Sequence, residues 1–400
     1  MTPVGFISRG FRGKRRDVAS SSRVPPGQYV VTDFPVLSAG PTPRVNLDQW
    51  TFTIQGEIDE PKRWTWKEFA ALPSETVTKD IHCVTKWSKL DTVWKGVSVD
   101  TLMDGIETAA EFTTIFSDGG YTTNVPLDDI TGNKAWVVYE FDGQPLQPEP
   151  LARAAVLGRL AWTLGEVVEL VQETPRVASL YLNVPDWAGH LAGQHVDVRL
   201  TAEDGYVAER SYSIASPPED RWLALTVERL DDGEVSPYLV GELKVGDRLE
   251  LRGPIGGYFV WRAGDETPLF LVGGGSGVVP LMAMLRHRAK ATHKAPARLL
   301  YSSRTLADVI YREELERLGS AGDGLSIVQT LTREKPMGWT GYARRLDESM
   351  MKEVALPTEQ MPAVFICGPT SFVEAAASLL VAMGYAPQSI KTERFGATGG

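Results

Sequence analysis

The 400 residues suffice for roughly two to three domains with ordinary cores, and 43% hydrophobic with 23% charged residues is a globular composition. A net charge of -10 argues against a nucleic-acid partner, which needs clustered Lys and Arg. Two cysteines build no disulfide framework and the five histidines form no zinc-spaced cluster, so a reducing, cytoplasmic setting is expected.

The opening "MTPVGFISRGFRGKRRDVASSS" is basic, but no apolar stretch follows Arg15-Arg16 as it would in a signal peptide. Residues 1–24 therefore read as a flexible arm. A mostly-β α+β domain is expected over 25–149. It has a strand at "WTFTIQGEI", short helices at "TWKEFAAL" and "SVDTLMDGI", and a strand, Gly-rich turn and strand in "EFTTIFSDGGYTTNVPLDDI". Pro145, Pro148 and Pro150 then punctuate "FDGQPLQPEPLA", which predicts a stiff linker over 150–160.

Beyond it, "GEVVELVQET", "VASLYLNV", "HVDVRL", "RSYSIAS" and "LALTVERL" alternate as short strands with turn signals, an antiparallel β-barrel over 161–263. From 264 to 400 strands and helices alternate instead: "LFLVGGGSGVVPLMAML", "ARLLYSSR", "YREELERL", "LSIVQTLT", "AVFICGP" and "TSFVEAAASLLVAMG". That order implies a parallel sheet in an α/β domain. The apolar run 268–285 is long enough for a membrane, but its four glycines and proline favour strand, turn and helix.

Three short motifs carry chemistry. In "GGGSG", Gly273 to Gly275 and Gly277 let backbone approach a pyrophosphate at a helix start, or simply permit a tight turn. In "RSYS", Arg210 suits a diphosphate, Tyr212 a flat ring and Ser213 a ring edge, although the four residues by themselves favour a plain amphipathic strand. Cys367 in "ICGPT" ends a strand where open α/β sheets bind ligands, or is a buried structural cysteine.

Taken in order, "RSYS", "DGEVSPYL", "GDRLELRGPIGGYF", "LVGGGSGVVPLM", "YSSR", "CGP" and "ERFGATGG" resemble the ferredoxin–NADP⁺ reductase superfamily, chiefly its bacterial branch, over about residues 160–400. The resemblance implies a FAD-binding barrel followed by an NAD(P)-binding α/β domain. It implies Arg210, Gly233, Val235 and Ser236 around the FAD diphosphate and Tyr212 on the isoalloxazine, with Ser211 and Phe395 also among the cofactor-binding residues. Gly274, Ser276 and Gly277 would hold the nicotinamide nucleotide's phosphates, and Gly368 and Pro369 would flank the nicotinamide. Ser213, Cys367 and Glu393 would be the catalytic group around flavin N5 and nicotinamide C4. Ser302 and Arg304 follow the second parallel strand, where an arginine favours the 2′-phosphate of NADPH.

Cys83 lies in "DIHCVTKWSKLD", where a lone cysteine could be metal ligand, nucleophile or core. With "SDGGYTTNVPLDDI" and "YEFDGQPL" the segment resembles the molybdopterin-binding domain of the sulfite oxidase family, in which the matching cysteine is a thiolate ligand to molybdenum. The family's following His-Gly-x-Pro-x-Arg and Lys-Ser segments have no counterpart, so this domain is expected to be truncated and its cofactor is doubtful. No ferredoxin-type C-x₄-C-x₂-C run occurs either. The expected function is FAD-dependent NAD(P)H oxidation with electrons passed to a protein, such as a ferredoxin, or to a small molecule. The alternatives are a flavin–molybdenum enzyme using Cys83, or an N-terminal half that only docks the acceptor. No membrane association is expected.

Overall fold

Alternation of buried and less buried residues shapes barrel strands such as His195–Thr201, while Leu223–Glu228 is buried along nearly its whole length. In the computed structural model, which describes residues 6–12, 29–31, 47–82, 87–117, 122–146, 152–158, 162–185, 187 and 189–395, Val196, Val198 and Leu200 of strand His195–Thr201 are wholly buried. Leu180 and Leu182 of Val177–Asn183 and Leu249 and Leu251 of Arg248–Ile255 face the same core, each contributing about 1.5–3 kcal/mol by burial. All neighbours in this six-stranded sheet are antiparallel. It runs from Val207–Ser213 at one side to Leu223–Glu228 at the other, and the Ile214–Leu225 bridge joins those two sides into a barrel.

The following domain is a five-stranded, all-parallel sheet. Its spatial order is Leu325–Leu331, Ala297–Ser303, Leu269–Gly274, Ala363–Pro369 and Ile390–Phe395. Both faces are buried: Leu271, Leu299 and Phe365 point into one core, while Phe270, Val272, Leu300 and Ile366 point into the other. The strand order reverses between Leu269–Gly274 and Ala363–Pro369, which makes their carboxyl ends the topological switch point. The last strand, "IKTERF", is not among those expected from sequence.

Barrel and parallel sheet fall into one compact body, and residues 6–12 belong with them. The described part of the expected flexible arm is in fact packed. Ser8 and Phe11 are buried, Ser8 N donates to Thr201 O at 2.7 Å, and Tyr238 Oη donates to Arg9 O at 2.7 Å. Phe11 meets the Tyr238 ring edge-on, so this short stretch gains enough apolar contact to order itself.

Residues 16–160 form the second body. Its strands make two five-stranded sheets, one built around the long strand Trp87–Ser98 and the other around Thr51–Gly56 and Phe112–Ser117. The expected helices occur at Trp66–Ala70, opened by a Thr65/Glu68 capping box, and at Val99–Met103, capped by Ser98. The expected linker is a correction. Residues Ala152–Gly158 are a strand lying between Thr51–Gly56, which it pairs in parallel, and Phe112–Ser117, which it pairs antiparallel. The prolines before it end one strand without ending the domain.

Candidate functional site

The barrel delivers Ser213 at the end of its strand, directly opposite His195 on the neighbouring strand. The α/β domain delivers Cys367, which in the parallel register stands between Gly273 and Glu393. One residue further along, Gly274 is paired with Ser302, and beyond that Pro369 with Phe395. The sheet thus gathers Gly274, Ser302, Cys367, Gly368, Pro369, Glu393 and Phe395 at its carboxyl edge.

Three glycines there are fixed by packing. A Cβ on Gly277 would lie 2.2 Å from the Cys367 carbonyl oxygen, and one on Gly274 or Gly368 would lie 2.8 Å from the Phe372 ring. The loop after the first strand and the loop after the fourth therefore touch backbone to backbone. Gly275 alone faces open space, with a φ of 56° that favours glycine. Ser276 Oγ donates to Glu228 Oε2 at 2.7 Å, tying the loop to the end of a barrel strand. A second tie comes from Arg286, whose Nη1 donates to Ala215 O at 2.8 Å while Nε and Nη2 grip Glu314 at 3.1 and 2.6 Å. This holds the segment just after Ser213 against the nucleotide domain.

Glu393 is the electrostatic centre. Cys367 Sγ lies 4.0 Å from its Oε2, and His195 Nδ1 lies 4.0 Å from its Oε1. Burial pushes the Glu393 carboxyl up to about 7. Burial, reinforced by Glu393, holds the Cys367 thiol well above its ordinary value, so it is a neutral thiol and not a thiolate. His195 is pulled down by burial against an opposing pull from Asp197.

On the barrel surface Arg210 is exposed, with Nη2 3.5 Å from Glu234 Oε2. Glu234 also accepts from Tyr206 Oη at 2.9 Å and lies between Gly233 and Val235. Arg210, Gly233, Val235 and Ser236 are therefore brought to one place. Ser236 Oγ accepts from Leu230 N at 3.0 Å and closes that loop. Ser211 turns away, donating to Asp197 Oδ1 at 2.6 Å. Tyr212 is half-buried against the barrel core, and burial raises its phenol.

Arg304 and Arg333 follow the second and third parallel strands and are linked by Arg333 N donating to Arg304 O at 2.9 Å. Sequence reasoning missed His195, Glu228 and Glu234. Only strand register and contacts between domains reveal them. Cys83 lies outside the described residues. Among the described residues, no group of three or more His, Cys, Asp or Glu could hold a metal ion, and no helix is long and apolar enough to cross a membrane.

An antiparallel barrel tied to a parallel nucleotide-type sheet, with this edge between them, defines an oxidoreductase of the ferredoxin-reductase type. Family models agree: an oxidoreductase FAD-binding domain matches residues 164–260 and an oxidoreductase NAD-binding domain matches 271–378. An oxidoreductase molybdopterin-binding domain matches 39–162, running through the strand that sequence had read as a linker.

The uncharacterized oxidoreductase YuiH of Bacillus subtilis is 38% identical over 34% of this chain and 71% of its own length. The glycine betaine monooxygenase reductase subunit of Chromohalobacter salexigens is 33% identical over 59% of this chain and 66% of its own. For the propane 2-monooxygenase reductase component of Mycolicibacterium goodii the values are 30%, 54% and 62%, so the chain spans just under two thirds of these two reductases. Among solved structures, the flavohem-like FAD/NAD binding domain of nitric oxide dioxygenase from Vibrio cholerae is 27% identical. Its TM-score is 0.52, and the match covers 59% of this chain and 99% of that one. The chain belongs to the ferredoxin reductase-like FAD- and NAD-binding oxidoreductases and carries a molybdopterin-binding-family domain at its N-terminal side.

Proposed function

We propose that the chain oxidises NAD(P)H at FAD and passes the electrons to a separate acceptor, a protein or a small molecule. The observation that carries this is the 4.0 Å approach of His195, paired with Ser213 on the barrel, to Glu393, which is paired with Cys367 at the carboxyl edge of the parallel sheet. FAD, when bound, supplies a two-electron acceptor that can release electrons singly.

The residues fit that group. Arg210 offers an exposed fork beside Gly233, Val235 and Ser236 for the diphosphate. Half-buried Tyr212 and Phe395 offer flat faces. Gly274, Ser276 and Gly277 would cradle the nucleotide's phosphates, and Gly275, with open space beside it, leaves room for close backbone approach. Ser302 and Arg304 would meet the adenosine ribose, and Cys367, Gly368 and Pro369, at the same carboxyl edge, would flank the nicotinamide. Ser211, committed to Asp197, serves the barrel and reaches the cofactor only through its backbone. Reductase components of monooxygenases among the relatives favour a protein acceptor.

Full-length protein is expected to show a flavin absorbance that NADPH or NADH bleaches without oxygen. Colourless, folded protein that reduces no acceptor overturns the reading.

The molybdopterin-binding match supports a second reading, in which Cys83 is a thiolate ligand and the flavin exchanges electrons with molybdenum. Molybdenum content of purified protein decides it, and less than one metal per chain is expected. Stoichiometric metal that disappears in Cys83→Ala would establish the two-cofactor enzyme. A third reading, in which the N-terminal body only docks the acceptor, is tested by pull-down with residues 1–150.

A further inference from the structure

Ser276 has one hydroxyl proton to give, and a carboxylate holds it. The serine lies in the turn Gly275–Gly277, which leads into helix Val278–Lys290, and its Oγ donates to Glu228 Oε2 at 2.7 Å. Glu228 is the last residue of barrel strand Leu223–Glu228. The residues before it in that strand are buried, whereas Glu228 itself is half-buried, as Ser276 is. The strand thus ends by presenting an acid to the glycine-rich loop of the nucleotide domain.

Among the described residues, no ion pair offsets that acid. Its strand partner is Val177. The arginines next to these two residues, Arg176 and Arg229, both turn to Asp231, at 2.9 and 3.2 Å. Arg176 also donates to Arg229 O at 2.9 Å. The nearest cations along both strands are therefore committed to one another's loop, and Glu228 keeps its charge beside Ser276.

The loop is otherwise suited to an anion. Gly275, with a φ of 56°, has open space beside it, so a phosphate can approach the backbone there. The loop's one side-chain donor is the Ser276 hydroxyl. A phosphate oxygen and a carboxylate oxygen are both negatively charged acceptors, and each needs that same proton.

We propose that Glu228 opposes the nucleotide's phosphates at this loop. It competes for the Ser276 hydroxyl and repels their charge, and so holds the affinity for NAD(P)H and its oxidised product below what the loop alone would give. The proposal deepens the nucleotide-binding reading and rests on it. The diphosphate is chemically unchanged by hydride transfer, so the opposition bears equally on substrate, transition state and product. Glu228 touches no reacting atom. It sets how tightly the nucleotide is held and how readily the spent form leaves.

Glu228→Gln in full-length, flavin-loaded protein tests this. The amide keeps the shape of the side chain and an oxygen that accepts from Ser276, and it loses the charge. ADP-ribose, which carries the diphosphate without the nicotinamide, is titrated calorimetrically into both proteins. The variant is expected to bind it about three- to tenfold more tightly, the effect of removing one nearby charge at the edge of solvent. Adenosine, which has no phosphate, should bind the two proteins equally. Unchanged or weaker binding of ADP-ribose would make Glu228 an interdomain tie alone and overturns the proposal, as does an equal gain for adenosine. If neither protein binds ADP-ribose, the nucleotide-binding reading itself falls and takes the proposal with it. The KM for NAD(P)H should drop by the same factor. A variant that slows flavin reduction at saturating nucleotide without lowering KM counts against the proposal. Should Glu228→Gln lose flavin, Glu228→Lys still decides. A positive charge there should tighten ADP-ribose binding beyond the wild type, and a failure to do so overturns the proposal.

Discussion

The two bodies of the chain are both rich in strands, yet their cores differ. In the reductase body, alternating aliphatic side chains such as Val196, Val198, Leu200, Leu225 and Leu251 are wholly buried and lock the strand register. In the N-terminal body the core is built around a cluster of aromatic rings among smaller aliphatic residues. Trp50 meets Phe69 at 5.2 Å and Trp66 at 5.4 Å, and strand Trp136–Phe141 is half-buried along its whole length. The contrast shows what a site needs. A register fixed on both faces places Cys367, Glu393 and His195 within 4.0 Å contacts, whereas a one-sided aromatic cluster fixes the fold of its sheet and leaves the opposite face to water.

Two glycines give the sharpest way to break that comparison. Gly277→Ala would put a methyl 2.2 Å from the Cys367 carbonyl oxygen, and Gly96→Ala would put one 2.4 Å from the Val137 carbonyl oxygen. Each should cost its own body about 3 kcal/mol or more, because backbone must move in both. Gly277→Ala should abolish NAD(P)H-driven ferricyanide reduction. Gly96→Ala should shift only the calorimetric transition of the N-terminal body. Equal loss of reduction in both variants would show that the bodies unfold together.

A smaller effect is expected at Arg304, half-buried at the end of the second parallel strand. Arg304→Ala should weaken NADPH binding by roughly 1.5–3 kcal/mol, the worth of a hydrogen bond to a charged group, and NADH binding much less. Isothermal titration with both nucleotides checks this. Equal losses would remove Arg304 as the discriminating residue.

Smallest is Ser213→Ala. A hydrogen bond that strengthens as charge develops should slow flavin reduction about tenfold while leaving nucleotide affinity unchanged. Stopped-flow measurement of an unaltered reduction rate would detach Ser213 from the chemistry.

Much of this was legible from residues alone. Period-two alternation gave the barrel strands, and the Gly-rich turn between an apolar run and a helix gave the start of the parallel sheet. Ala152–Gly158 was misread because Pro145, Pro148 and Pro150 look like a linker, although a strand begins directly after them. Ile390–Phe395 escaped notice because Lys391, Glu393 and Arg394 make it polar, as an edge strand can be. Residues 6–12 looked like an arm because only Ser8 and Phe11 tuck inward. In the site, the motifs marked Arg210, Ser213 and Cys367. His195 and Glu228 acquire meaning only through partners 198 and 48 positions away, at Glu393 and Ser276.

The packing of residues 6–12 on the barrel orders events during synthesis. Ser8 hydrogen-bonds Thr201 across 193 positions, Arg9 accepts from Tyr238 across 229, and Arg9 pairs with Asp247 across 238. Residues 6–12 leave the ribosome well before their partners and must wait for them. At about 5–20 residues per second that delay is roughly 10–50 s, during which the whole of residues 16–160 is made. The N-terminal body is an insertion in the reductase body and has time to fold first. The last step of reductase folding then brings together two stretches of chain separated by an already finished domain.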